Sequence, residues 1–146
     1  MLKFIIDGSP VAKQSVKLGT VTLKSGKVMP TKYTPKEMKN YANWVKTCFK
    51  RTYPNHLPSV FFEKPLMCKI IVNKKVPKSF SKKKREQALQ GLLVPITNPD
   101  CDNISKNICD ALNEIAYPDD RQIAKLIVEK HFNTDSYTSV EIGELI

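Results

Sequence analysis

Ile104, Ile108, Ala111, Leu112 and Ile115 recur at helical spacing, and this run constrains the fold more than any other part of the chain. At about 100° per residue they form one narrow apolar stripe. Asp102, Lys106, Asp110 and Asn113 fall on the opposite side. Such a helix must lay its isoleucines on a core and turn a row of carboxylates and a lysine outward. Asp102-Asn103 is a natural start, because short polar side chains cap free N–H groups. The pattern predicts a helix from about Asn103 to Ala116. Asp100 and Asp102 alternate just before it, so in extended backbone both side chains point one way and Cys101 the other. Tyr117-Pro118-Asp119-Asp120 reads as a turn. A helix of this length spans about 20 Å at about 1.5 Å per residue. Asp120 reaches Asp100 only if the following strand runs back beside the helix.

The rest of the chain supplies the sheet. Leu2 to Ile6 reads as a strand, stopped by Asp7-Gly8-Ser9-Pro10. Val21-Thr22-Leu23 and Lys27-Val28-Met29 flank Ser25-Gly26 as a hairpin. Thr34-Pro35-Lys36-Glu37 forms a capping box that opens a helix running to about Arg51. Met38, Tyr41, Ala42, Val45, Cys48 and Phe49 make its apolar stripe, and Trp44 falls off it, a position for packing at the margin or for contact with a partner. Leu66 to Val72 reads as a buried strand, and Lys82 to Gln90 as a short charged helix. Ile123 to Phe132 reads as a strand. In the last strand Thr138, Val140 and Ile142 alternate with Ser139 and Glu141. This order predicts a single α+β domain over residues 1–146, with two main helices packed on a mixed β-sheet.

Charge narrows the partners. Lys and Arg number 24 against 14 acidic residues, a formal net charge of +10, which favours an anionic partner. No apolar run reaches the length that spans a bilayer, and the N-terminal segment lacks a secretory apolar region, so no membrane association is expected and the protein is read as intracellular. Cys48, Cys68, Cys101 and Cys109 form no C-x-x-C pair and are expected as free thiols. His56 and His131 are isolated and read as surface residues rather than zinc ligands.

Each acid also has a plain structural reading. Asp102 can be a cap, Asp102 and Lys106 an ordinary i,i+4 pair, and Asp119-Asp120 turn residues. Together in so basic a chain they point to a metal site acting on a polyanion. The carboxylates would hold a hard divalent cation and the basic surface the phosphates. An EF-hand is excluded: counted from Asp100, its required Gly and Glu positions hold Ser105 and Ala111. No P-loop, G-x-S-x-G or H-E-x-x-H is present.

Asp100, Asp102, Asn103, Lys106 and Asp110-Ala111-Leu112, followed by Asp119-Asp120 and Gln122-Ile123, make a long gapped motif. It resembles the RusA family of Holliday junction resolvases, often carried by phages and prophages. The opening strand, Ala12-Lys13-Gln14 and the Tyr33 to Lys36 segment are also similar to this family's phage branch, so the resemblance covers most of the chain. It implies a homodimer that binds four-way junction DNA and nicks two opposing strands with Mg²⁺, in recombination and repair, in the cytoplasm of a bacterial host. It implies Asp100, Asp102 and Asp120 as metal-binding catalytic carboxylates and Lys106 as the essential lysine. Asp119, Asn103 and Asp110 would be accessory. Phosphate contacts are expected from Lys13, Lys17, Lys74, Lys75, Lys83 and Arg85. The chain departs from relatives where Ser15-Val16-Lys17 replaces arginines, and in a long basic segment from Lys74 to Pro95. The rival expectations are a non-catalytic DNA-binding protein on the same scaffold and a Mg²⁺ nuclease for other branched DNA.

Overall fold

Side-chain alternation decides which way each strand faces. In the computed structural model, which describes residues 1–10, 17–22, 24–33 and 36–146, strand β1 (Leu2–Asp7) buries Phe4 and Ile6 and turns Ile5 outward. Strand β4 (Leu66–Lys75) buries Leu66, Cys68, Ile70 and Val72 on the same side. Strand β6 (Tyr137–Glu144) adds Thr138, Val140 and Ile142. With β5 (Ile123–Asn133) these form a four-stranded sheet in the order β1-β6-β4-β5. The β1–β6 and β6–β4 pairs are antiparallel and β4–β5 is parallel. The sheet is therefore mixed, as expected, in an α+β fold. Across the outer face Lys3 meets its register partner Glu141 at 2.9 Å.

Two helices cover the buried face. Helix α1 (Lys36–Thr52) contributes Tyr41, Val45, Cys48 and Phe49, the stripe expected of it. Helix α3 (Cys101–Ala111) contributes Ile104, Ile108 and Ala111. All belong to one core with the strand residues. Truncating Ile108 to Ala there would cost about 2–5 kcal/mol. Trp44 sits at the margin, as its position off the stripe predicts, and its indole N–H donates to the Asp7 carbonyl at 2.8 Å. Parallel strands need a long crossover. Between β4 and β5 it contains α3 and the short helix α2 (Lys82–Leu89), a third helix beside the two main ones, capped by Ser81. A separate antiparallel pair, β2 (Lys17–Thr22) and β3 (Val28–Tyr33), is the expected hairpin with longer arms, and Gly26 supplies the positive φ of 83° in its turn. The capping box at Thr34-Pro35 and the Ala12-Lys13-Gln14 segment lie outside the described residues.

Three expectations need correction. The fourth strand does not stop at Val72 but continues through Lys74 and Lys75, because β5 pairs with it along its whole length. Helix α3 begins two residues earlier than Asn103 and ends at Ala111 rather than Ala116. After Leu112 the chain reverses through Glu114 at φ 62°, and the fully buried Tyr117 donates its hydroxyl to the Cys109 carbonyl at 2.8 Å. Tyr117 is thus a core residue that closes the turn. His56 is not a surface residue either. Its ring is half-buried against Phe49 and Phe61, and its Nε2 donates to the Ala116 carbonyl at 2.8 Å. Among the described residues no helix is long and apolar enough to cross a membrane.

Candidate active site

The early start of α3 changes how its first acids are held. Asp100 is the N-cap, with extended backbone, and Asp102 lies in the first turn. They are therefore not alternate positions of one extended segment. The Asp100 carboxylate makes no capping bond but accepts from Asn103 Nδ2 at 2.6 Å. That hydrogen bond is the main cause holding Asp100 below the usual carboxylate range, with Asp102 and the charge of Lys130 adding to it. Both carboxylates are exposed, and both sit where a helix macrodipole favours negative charge. One turn on, Lys106 Nζ stands 3.9 Å from Asp102 Oδ2, both side chains well exposed. An exposed i,i+4 contact at that distance adds little to stability. It does leave an ammonium beside the acidic pair.

The loop before Asp100 is stapled from two strands. Lys130 of β5 donates to the carbonyls of Thr97 at 2.7 Å and Pro99 at 3.1 Å. Lys74 of β4 donates to Thr97 Oγ1 at 2.9 Å. Nothing in the sequence spacing marked Lys130, which becomes visible only once β5 lies beside α3. Strand β5 does return along the helix, as the sequence required for Asp120 to approach Asp100. It delivers Lys130 to the start of α3.

Asp120 is held instead past the other end of the helix. Its backbone N–H donates to Asn113 Oδ1 at 2.7 Å. Asp119 caps the 3-10 turn over Asp120–Gln122, accepting from Arg121 N–H at 2.8 Å and Arg121 Nε at 3.0 Å. The Arg121 side chain holds the Asp119 carboxyl down at about 2. Gln122 fixes the turn to the rest of the fold. Its oxygen accepts from Asp119 N–H at 3.2 Å, and its nitrogen donates to the carbonyls of Phe61 at 2.6 Å and Lys64 at 3.0 Å. The four aspartates thus form two pairs. Among the described residues no three of His, Cys, Asp or Glu are gathered as a preformed metal cage. Asp110 is exposed on the outer side of α3.

Of the basic residues read from the sequence, Lys75 and Lys83 are exposed and Arg85 is half-buried on α2. Lys74 is engaged by Thr97. Lys17 opens β2, and Lys13 lies outside the described residues.

The donor set suits a hard divalent cation. Such an ion takes oxygen ligands, keeps several waters and is commonly bound through one or two carboxylates together with substrate phosphates. Asp100 and Asp102 offer that arrangement. The model of the family described as endodeoxyribonuclease RusA matches residues 7–143, which contain both acidic pairs and Lys106. The chain is also 36% identical over 147 residues to the Bacillus subtilis (strain 168) protein described as "Uncharacterized protein YqaN", covering 99% of this chain and 96% of that protein. Because the family model spans nearly the whole chain, the chain belongs to the RusA endodeoxyribonuclease family.

Proposed function

We propose that this protein is a Mg²⁺-dependent endodeoxyribonuclease that acts as a homodimer on four-way DNA junctions in the bacterial cytoplasm, nicking two opposing strands during recombination and repair. The observation that carries the reading is the exposed Asp100–Asp102 pair with Lys106 beside it, in a chain of net charge +10. Asp100 and Asp102 would hold the cation. When bound, it supplies a water of lowered pKa and a polarised phosphate. Lys106 offsets charge on the non-bridging oxygens as the phosphate becomes pentacovalent. Lys130 and Lys74 keep the loop before Asp100 in place, so the pair meets the phosphate with little rearrangement. Asp120 is the third carboxylate of the proposal, and Asp119 supports it. Because Asp120 stands apart from the first pair, its loss should lower cleavage more than metal affinity. Lys75, Lys83 and Arg85, with Lys13 and Lys17, are proposed to bind phosphates, which makes binding salt-dependent.

The test is cleavage of a labelled four-way junction beside linear duplex of the same sequence, in Mg²⁺ and in EDTA. Paired nicks on the junction alone, lost in EDTA, support the proposal in full. Metal-dependent cutting of both substrates retains the active site and removes the junction preference. Tight binding with no cutting in Mg²⁺ or Mn²⁺ leaves a non-catalytic DNA-binding protein.

A further inference from the structure

The basic segment after β4 has no place in the cleavage chemistry, yet it builds a groove that leads to the acidic pair. Two cavities adjoin there, of about 320 and 390 Å³, and share Lys74, Pro95 and Thr97 in their walls. The first includes Pro99, the residue before Asp100. The second is closed by Phe80, Phe132, Lys84, Val94 and Ile96. We propose that this second cavity takes a single unstacked nucleobase of the DNA strand whose phosphate lies at Asp100 and Asp102. The inference rests on the nuclease reading for its placement of the strand.

Three observations favour a base over other occupants. Phe80 and Phe132 pack edge to face with centroids 5.5 Å apart, and Lys84 Nζ lies 4.2 Å from the Phe80 ring centre. A base stacked on that ring face would take the place of the lysine. Stacking of a base on an aromatic ring outweighs an exposed cation–π contact, and the displaced ammonium is then free to meet a phosphate. The rim is apolar and uncovered: Ile96 is 91% exposed and Val94 50%. Among the described residues no acidic side chain lines either cavity, and Lys82, Lys83, Lys84 and Arg85 follow on α2. An apolar, aromatic slot whose charged wall residues are lysines fits a nucleic acid strand, which carries π-faces and phosphates together. A paired base in duplex has no free face to offer, so the occupant is an unpaired or extruded one. Branched DNA gives up such a base more readily than continuous duplex, which makes the slot a source of substrate choice as well as affinity.

Binding is measured in EDTA, with the full-length protein and a fluorescein-labelled oligothymidine, and with duplex of equal length, by anisotropy. Phe80→Leu keeps an apolar side chain and removes the ring. It should weaken the single strand about tenfold, within the range for loss of one stacked base, and leave duplex within about twofold. Equal loss on both substrates, or no loss on the single strand, overturns the proposal. Phe132→Leu repeats the test at the adjoining ring if Phe80→Leu fails to fold. A readout on the unaltered protein is independent of either variant. The emission of 2-aminopurine placed beside the crossover of a junction should change when saturating protein extrudes that base, and an unchanged emission overturns the slot. Because no cleavage is involved, a protein that cuts nothing can pass these tests, and one that resolves junctions can fail them.

Discussion

The two carboxylate pairs at the ends of α3 differ in how much of each the fold uses. Asp100 and Asp102 lie in solvent, with one side-chain donor, Asn103, on Asp100 and a lysine 3.9 Å from Asp102. Asp119 is built into a turn, with Arg121 on both of its oxygens and Gln122 on its backbone N–H. Asp120 is positioned through its own backbone by Asn113. Four residues of one type in one motif therefore carry different duties. The first pair leaves acceptor capacity for a cation. In the second, Asp119 is committed to shaping the turn that presents Asp120.

The largest effect expected from this difference is on cleavage. Asp102→Asn should lower junction cleavage by about a thousandfold, because metal assistance contributes several kcal/mol at about 1.4 kcal/mol per tenfold. Junction affinity, which rests on the lysines, should stay within about threefold. Asp119→Asn should lower cleavage by no more than about tenfold. Equal losses in single-turnover assays would erase the distinction between the pairs.

Metal binding divides them next. Carboxylates in close company repel one another, and a cation bound to the folded state stabilises it. At about a hundredfold excess of Mg²⁺ over Kd, the wild-type melting temperature should rise by about 5–10 °C. Asp100→Asn should lose most of that rise and Asp119→Asn should keep it. A rise abolished equally in both variants would mean that one ion bridges the pairs. A smaller effect is expected from Lys130→Met, which frees the Thr97 and Pro99 carbonyls. It should cost about 1–2 kcal/mol of stability and raise the Mg²⁺ concentration needed for half-maximal cleavage, leaving the saturated rate nearly unchanged. A lowered saturated rate at unchanged Mg²⁺ requirement would place Lys130 in the chemistry instead of in the loop.

The sequence exposed whatever depends on period. Ile104 and Ile108 at helical spacing, and Thr138, Val140 and Ile142 at alternate positions, identified the buried faces because one side of each element must leave water. The helix ends were less legible, since they depend on contacts distant in sequence. Asp102-Asn103 reads as a cap, but Asn103 reaches back to Asp100 and the helix starts before it. Tyr117 reads as a turn residue, yet its hydroxyl finds the Cys109 carbonyl and the ring enters the core. At the site, the Asp102 and Lys106 row was visible as one helical face. Lys130 was not, because its partners at Thr97 and Pro99 lie 33 and 31 residues away and meet it only once the sheet and α3 have assembled. Phe80 and Phe132 are invisible as a pair for the same reason.

The smallest expected effect concerns protons and isolates the Asp119 contact in EDTA. Arg121 depresses the Asp119 carboxyl from an ordinary 3.8 to about 2. The folded state therefore holds that proton less readily than the unfolded chain does. Its stabilising contribution is complete above the ordinary value, declines as the pH falls below it, and is gone once the pH passes below the folded value. Asp119→Asn keeps an oxygen that can accept from the Arg121 N–H but removes the charge, so the variant reports the ionic part alone. Wild type should be slightly more stable than Asp119→Asn at pH 5, and the two should converge on approaching pH 2 in urea unfolding. The contact is exposed, so salt should shrink the difference at pH 5 as well. A difference that ignores both pH and salt would show that Arg121 holds Asp119 through geometry rather than charge. Asp119 would then be as open to a cation as Asp100, and the distinction between the pairs would rest on cleavage and metal affinity alone.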